Sequence, residues 1–239
     1  LIRRSSINSH NWYGILMNFQ HKLNDNWNLS VGTDDRYYYG YHYQVASNLY
    51  GASGYKDDKN KNIAPNVVSN LYDYKKMTWN PFGGSTAPMS DRIGYSNDGE
   101  VLWYSGFGQV EYTKDKLSAF IQGSVSNQAY QRIDDFIISG VTKQQGQVVD
   151  RKTGFKNLFG YTVKGGLNYN IDSHHNVFGN IGYYSKQPFM NSVYPSNFQV
   201  VNPTLTNEKI FGSEIGYGFK SAKFNAKINL KIKMMNLIY

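Results

Sequence analysis

The feature that most constrains this chain is its period. Apolar residues recur at every second position along most of the sequence, whereas helical spacing at i, i+3, i+4 and i+7 is hard to find. Over residues 13–19, Tyr13, Ile15, Met17 and Phe19 share one side, and Gly14, Leu16 and Asn18 share the other. Past Asn24-Asp25-Asn26, Trp27, Leu29, Val31 and Thr33 oppose Asn28, Ser30, Gly32 and Asp34, and the segment runs on into the tyrosine-rich stretch 37–43. A period of two is that of an extended strand, whose side chains point alternately to its two faces.

Six more segments obey the same rule. Leu102, Tyr104, Val110 and Tyr112 form the third apolar side, and a three-residue turn, Lys114-Asp115-Lys116, leads to Leu117, Ala119, Ile121 and Val125. Tyr161, Val163, Leu167, Tyr169 and Ile171 make the fifth, and Val177, Ile181 and Tyr183 the sixth. Phe211, Ile215, Tyr217 and Phe219 precede an eighth set, Phe224, Ala226, Ile228 and Leu230, at which alternation is expected to stop. Tight turns join these strands in pairs. Long segments, roughly 44–100, 132–159 and 187–207, join one pair to the next. Short connections regularly alternating with long ones predict an up-and-down membrane barrel, with its tight turns on one side of the bilayer and its loops on the other.

Hydrocarbon offers no hydrogen bonds, so a sheet that spans it must pair its backbone within the protein and turn apolar side chains to lipid. The apolar sides carry no charge in their central stretches; Glu111, Lys164, Glu214 and Lys227 fall on the reverse, among Asn, Gln, Ser and Thr. Aromatics make up 16% of the chain, enough for two girdles at the headgroup levels. Phe19, Trp27, Tyr112, Tyr169, Phe178, Tyr217, Phe219 and Phe224 are expected near the tight turns. Trp12, Tyr13, Tyr37, Tyr39, Tyr104, Tyr130, Tyr183 and Phe211 are expected near the loops. The expected fold is all-β: an antiparallel up-and-down transmembrane β-barrel, partial, with about eight strands of a larger barrel, and residues 1–239 forming a single barrel domain.

Composition excludes several other classes. No run of about 18 apolar residues is present, so there is no transmembrane helix. The absence of Cys removes disulfide frameworks and Cys-based zinc sites. The net charge of +8 is spread along the chain without a basic run or stripe, which argues against a nucleic-acid partner and places Lys and Arg at barrel rims. The chain starts at Leu1 without a signal peptide and therefore reads as a piece of a longer exported protein.

Specific strings then carry a resemblance. The segments WYSGFGQVEYTKDKLSAFIQGSVSNQAYQRID (103–134), NIGYYSKQPFMNSVYPSN (180–197) and VNPTLTNEKIFGSEIGYGF (201–219) resemble the barrel of TonB-dependent outer-membrane receptors. The family phrase Asn-Pro-x-Leu-x-x-Glu, followed by a Glu-x-Gly-Tyr strand, is matched by Asn202, Pro203, Leu205 and Glu208, then Glu214, Gly216 and Tyr217. The resemblance implies a barrel of about 22 strands filled by an N-terminal plug, in a Gram-negative outer membrane. It implies uptake of a large nutrient ligand, a siderophore, glycan or similar, powered by the TonB complex through a region that this chain does not contain. Outer-membrane lipid is an implied partner, and a surface lipoprotein a further one. The chain departs from the family at KIKMMNLIY, where relatives continue their strands; a truncated or frameshifted end is expected, and re-reading the coding DNA tests it.

Catalytic patterns are lacking: no nucleophile elbow, phosphate-binding loop or zincin motif occurs, so neither an enzyme nor a cofactor is expected. The neighbouring His174 and His175 read as a solvated turn, and the pairs Asp34-Asp35 and Asp134-Asp135 as polar strand ends. Tyr50, Tyr55, Tyr72, Tyr74, Trp79 and Phe82, on the first long loop, are the candidate ligand-binding residues, since loops capture ligands and aromatic rings stack on sugars or siderophore rings. Packing of the loop on itself is the competing reading for them. The competing functions are a passive porin-like barrel and a surface glycan-binding or adhesin β-sandwich.

Overall fold

The computed structural model describes residues 1–60, 66–72, 87–136, 152–197 and 199–236. The protein is all-β and built on one sheet of eight strands. Its strands are β1 (Arg3–Lys22), β2 (Trp27–Asn48), β5 (Arg92–Lys114), β6 (Leu117–Asp134), β7 (Lys156–Asn170), β8 (His175–Lys186), β9 (Glu208–Lys220) and β10 (Asn225–Asn236). Within the first long segment, β3 (Tyr55–Asp57) and β4 (Asn66–Val68) pair as a separate small hairpin. The strand order β1-β2-β5-β6-β7-β8-β9-β10 follows the chain, and every neighbour pair is antiparallel. All four tight turns therefore lie at one end of the sheet, and the strand ends that lead into and out of segments 49–91, 135–155 and 187–207 lie at the other.

Each tight turn closes by local chemistry. Asn24 Oδ1 accepts from the amides of Asn26 and Trp27 at 2.9 and 3.1 Å. Asp172 Oδ1 accepts from those of His174 and His175 at 2.7 and 2.8 Å, and Ser221 Oγ accepts from Phe224 N at 3.1 Å. These are Asx- and Ser-type turns, in which a side chain stands in for a backbone acceptor. The expected three-residue turn at Lys114 is shorter: Lys114 pairs with Leu117, leaving Asp115 and Lys116, with Asp115 at φ 50°. That is the left-handed geometry a tight hairpin requires.

Over the tight-turn half the register keeps one parity, and shifts occur only near the long segments, at Arg3/Arg4 in the β1–β2 pair and at Tyr43/Gln44 in the β2–β5 pair. Phe19, Val31, Gly108, Gly123, Val163, Tyr183, Phe211 and Met234 lie side by side across all eight strands. The next row is His21, Leu29, Val110, Ile121, Gly165, Ile181, Ser213 and Ile232. The reverse face shows Gln20, Ser30, Gln109, Gln122, Lys164, Gly182, Gly212 and Lys233 in one row. Exposure runs opposite to a water-soluble sheet. Ile121 is 61% exposed, Ile215 65% and Ile228 75%, whereas Gln122, Lys164 and Glu214 on the polar face are half-buried. On that polar face, rings lie over glycines, where a Cβ would collide: Phe107 over Gly32, Phe120 over Gly166 and Phe178 over Gly216.

Four expectations are corrected. Phe178 belongs to the polar face, opposite Gly216, and not to an outer girdle. Trp12 pairs with Tyr38 on that same face. Tyr130 is buried at 1%, packed against Val193 and Tyr194 from segment 187–207. In the fourth, β10 does not stop at Leu230 but pairs with β9 through Asn236, with Ile232 and Met234 continuing the apolar side and Lys231 and Lys233 the polar one. Strands β2 and β5 also run further toward the long segments than the alternation indicated, because apolar residues are sparse there and out of period: Val45 and Ala46 are adjacent, and 96–100 is polar apart from Gly99.

The buried clusters sit at the long-segment end, where β1, β2, β5 and β6 rise beyond their shorter neighbours. Ile7, Tyr43, Val45 and Ala87 pack together, as do Ala46, Leu49, Val68 and Ile93. A helical turn, α1 (Met190–Val193), packs on Tyr130.

Candidate functional site

Between the raised strands and α1 lies a cleft of about 710 Å³. From β1 and β2 come Asn8, Tyr38 and His42, and β5 contributes Gly94 to Gly99. Arg132 and Phe136 come from β6 and just past it, and Met190, Asn191 and Tyr194 from the third long segment; Lys59 reaches in from the first. Alternation explains the set. In the stretch 37–43, the odd-numbered tyrosines turn to the apolar parity, while Tyr38 and His42 turn to the other and face the cleft.

Buried charge holds the floor and walls. Arg92 NH1 donates to Asp135 Oδ2 at 2.9 Å and to Ser96 Oγ at 2.7 Å, and the Ser96 hydroxyl donates to the same Asp135 oxygen at 2.8 Å. Arg92 also donates through Nε to Ala87 O at 3.0 Å and lies over the Tyr43 ring. Arg132 donates through NH2 to Asp134 Oδ1 at 2.7 Å, and its amide donates to Thr153 Oγ1 at 3.0 Å. The Tyr39 hydroxyl donates to Asp98 Oδ2 at 2.8 Å. Asp134 and Asp135 thus each answer a buried arginine, a role more specific than that of polar strand ends. A buried pair of this kind fixes geometry more than it stabilises, since breaking one partner strands the other charge.

Of the residues singled out from sequence, none of the three that are described lines the cleft. Tyr55 packs beside Ala46, Val68 and Ile93. Tyr72 packs beside Ile7, Tyr43 and Ala87, and its hydroxyl donates to Asp91 Oδ2 at 2.5 Å. Burial first, and then that bond, push its phenol up to about 12. Tyr50 is exposed and occupies a left-handed turn position at φ 51°. Tyr74, Trp79 and Phe82 lie outside the described residues. The aromatics at the cleft are instead Tyr38, Tyr95, Phe136 and Tyr194, with His42 beside them. Parity within 37–43 was the available signal for Tyr38 and His42; the other three required knowledge of how the long segments fold back.

The phrase Asn202-Pro203-x-Leu205-x-x-Glu208 has a local physical role next to the cleft. Asn202 N donates to Val193 O at 2.9 Å, its Oδ1 accepts from Thr204 N at 3.0 Å, and Leu205 packs onto the Tyr130 cluster. Glu208 pairs with Lys186 at 3.5 Å. Together they fold the third long segment back against the sheet. His174 and His175 stand on an exposed turn, far from the cleft, with the Asp172 carboxyl lowered chiefly by the His174 amide. Among the described residues, no group of three or more His, Cys, Asp or Glu converges.

No family model matches the chain, and no curated protein matches it either.

Proposed function

We propose that this chain is wall and loops of a membrane-spanning outer-membrane barrel of the TonB-dependent receptor type, taking up a large nutrient ligand collected at the long-segment end. The observation that carries the membrane part of the reading is the inverted polarity of the inner strands: Ile121, Val163, Ile181 and Ile215 are exposed on one face, whereas Gln122, Lys164 and Glu214 on the other are half-buried, although Asp35, beside Ile15 and Tyr104, also lies on the apolar parity. A water-soluble antiparallel sheet places these the other way round. In hydrocarbon the arrangement is the favourable one, because a Lys or Arg facing mid-bilayer costs about 2–4 kcal/mol whereas a Lys facing the lumen does not. In this reading the sheet edges at β1 and β10 join further strands, since a barrel leaves no unpaired edge in lipid.

The receptor part of the reading rests on the resemblance of 103–134, 180–197 and 201–219, and on the cleft, whose rings, amides and charges suit a polar ligand with flat faces. Binding energy there comes from stacking and hydrogen bonds; the reading involves no covalent step.

Nitroxide labels on the chain reconstituted into lipid vesicles test the membrane reading. Labels at Ile121 and Ile215 should be relaxed by oxygen, which concentrates among acyl chains, and spared by a water-soluble nickel chelate. Labels at Gln122 and Glu214 should respond the opposite way. Nickel access at Ile121 and Ile215 would refute lipid contact.

A further inference from the structure

At the mouth of the cleft three side chains of the β1–β2 pair meet over one bare backbone position. His10 of β1 stands opposite Gly40 of β2, and Tyr38 and His42 flank Gly40 on the same face. The His10 Nδ1 and Tyr38 hydroxyl oxygen are 2.6 Å apart, and the His10 and His42 rings are 5.7 Å apart between centroids. A Cβ built on Gly40 would stand no more than 3.0 Å from both the Tyr38 hydroxyl oxygen and His42 Cε1. The Tyr38 hydroxyl and the Cε1 edge of the His42 ring therefore close over that bare position, with His10 Nδ1 against the same hydroxyl.

We propose that His10, Tyr38 and His42 form a binding site for a divalent transition-metal ion, with Cu²⁺ preferred over Ni²⁺ and Zn²⁺. Imidazole nitrogens suit these ions, and affinity at such a site rises toward copper along the divalent series. The Asn97 backbone is a hydrogen-bond partner of the His42 ring, an outer contact of the kind that orients a metal-ligating histidine. His10 and Tyr38 share a proton across their short contact. On binding, the metal takes its place and the proton passes to solvent, leaving phenolate and neutral imidazole as ligands. The side facing the cleft stays open to water or to a chelating ligand. All three ligands come from the β1–β2 pair, so the site stands or falls independently of the lipid-contact reading.

The full chain, refolded in detergent, is titrated with CuCl₂ and, separately, ZnCl₂, with binding followed by calorimetry and the copper form by electron paramagnetic resonance. One saturable site per chain is expected, with nitrogen hyperfine structure from imidazole and a tyrosinate-to-copper absorption band. His10→Gln and His42→Gln should each weaken binding at least about tenfold. Tyr38→Phe should abolish the absorption band while the nitrogen signal persists, and Gly40→Ala should weaken binding by crowding the ligands. His174→Gln with His175→Gln should change nothing. His10 lies exposed on an edge strand, so His10→Gln keeps the test available where substitution at His42 disturbs folding. Absence of saturable binding, binding unaffected by His10→Gln, or binding lost only with His174 and His175 would each overturn the site.

Discussion

At the scale of single residues, small polar side chains decide where this chain turns. Asp172 is the clearest, its carboxylate accepting two backbone amides at the start of the β7–β8 turn. Those bonds, the His174 amide first, hold its pKa below the ordinary 3.8. A carboxylate depressed in the folded state contributes stability that is present above its unfolded pKa and is lost as pH falls through the lower folded one. The His174 and His175 amides should therefore exchange slowly at neutral pH and lose protection below about pH 4. Asp172→Asn keeps an acceptor oxygen without the charge and should flatten that acid dependence; hydrogen exchange resolved at the two amides checks both outcomes. Turn sites of this kind were legible in the sequence, because Asn, Asp and Ser act within a few residues. His10, Tyr38 and His42 were not, because their convergence depends on which residue of β1 faces Gly40.

For the strands, parity is the governing fact. A shift of one residue in pairing would exchange every lipid-type side chain for a polar one, and no such slip separates the rows across β1 to β10 in the tight-turn half of the sheet. Neighbouring positions of one strand should thus respond oppositely to the same substitution. Ile121→Lys should lower folding stability in lipid vesicles by about 2–4 kcal/mol. Gln122→Lys, on the reverse face beside Lys164, should cost less than about 1 kcal/mol through like-charge repulsion. Urea unfolding in vesicles measures both, and equal costs at the two positions would contradict the facial assignment. The strand tops beyond the apolar band escaped sequence reading for the same reason: Ser96, Asn97, Asp98 and Glu100 present no apolar side, and their strand state is imposed by pairing with β2 and β6.

Over the whole molecule, two regions follow different rules. The tight-turn half exposes its apolar face broadly, while the long-segment half buries Tyr43, Ile93, Tyr130 and the Arg92–Asp135 pair in the manner of a water-soluble core. In the proposed reading the first half faces an apolar solvent and the second does not. The isolated chain should therefore stay dispersed as a strand-rich species in detergent and aggregate when the detergent is diluted out, through its apolar face and the edges of β1 and β10. Light scattering and far-ultraviolet circular dichroism across a detergent dilution series check this, and a dispersed monomer without detergent would contradict it.

Alternation and turn chemistry, both local, were enough to place eight strands, their antiparallel order and the two faces of the sheet, since each depends only on residues near one another in sequence. The tertiary structure alone decided which aromatics line the cleft, that Asp134 and Asp135 answer arginines, and that Tyr55 and Tyr72 pack inward. Those outcomes depend on long segments folding back across strands far away in the chain, and contacts between positions so distant leave no period in the sequence to read.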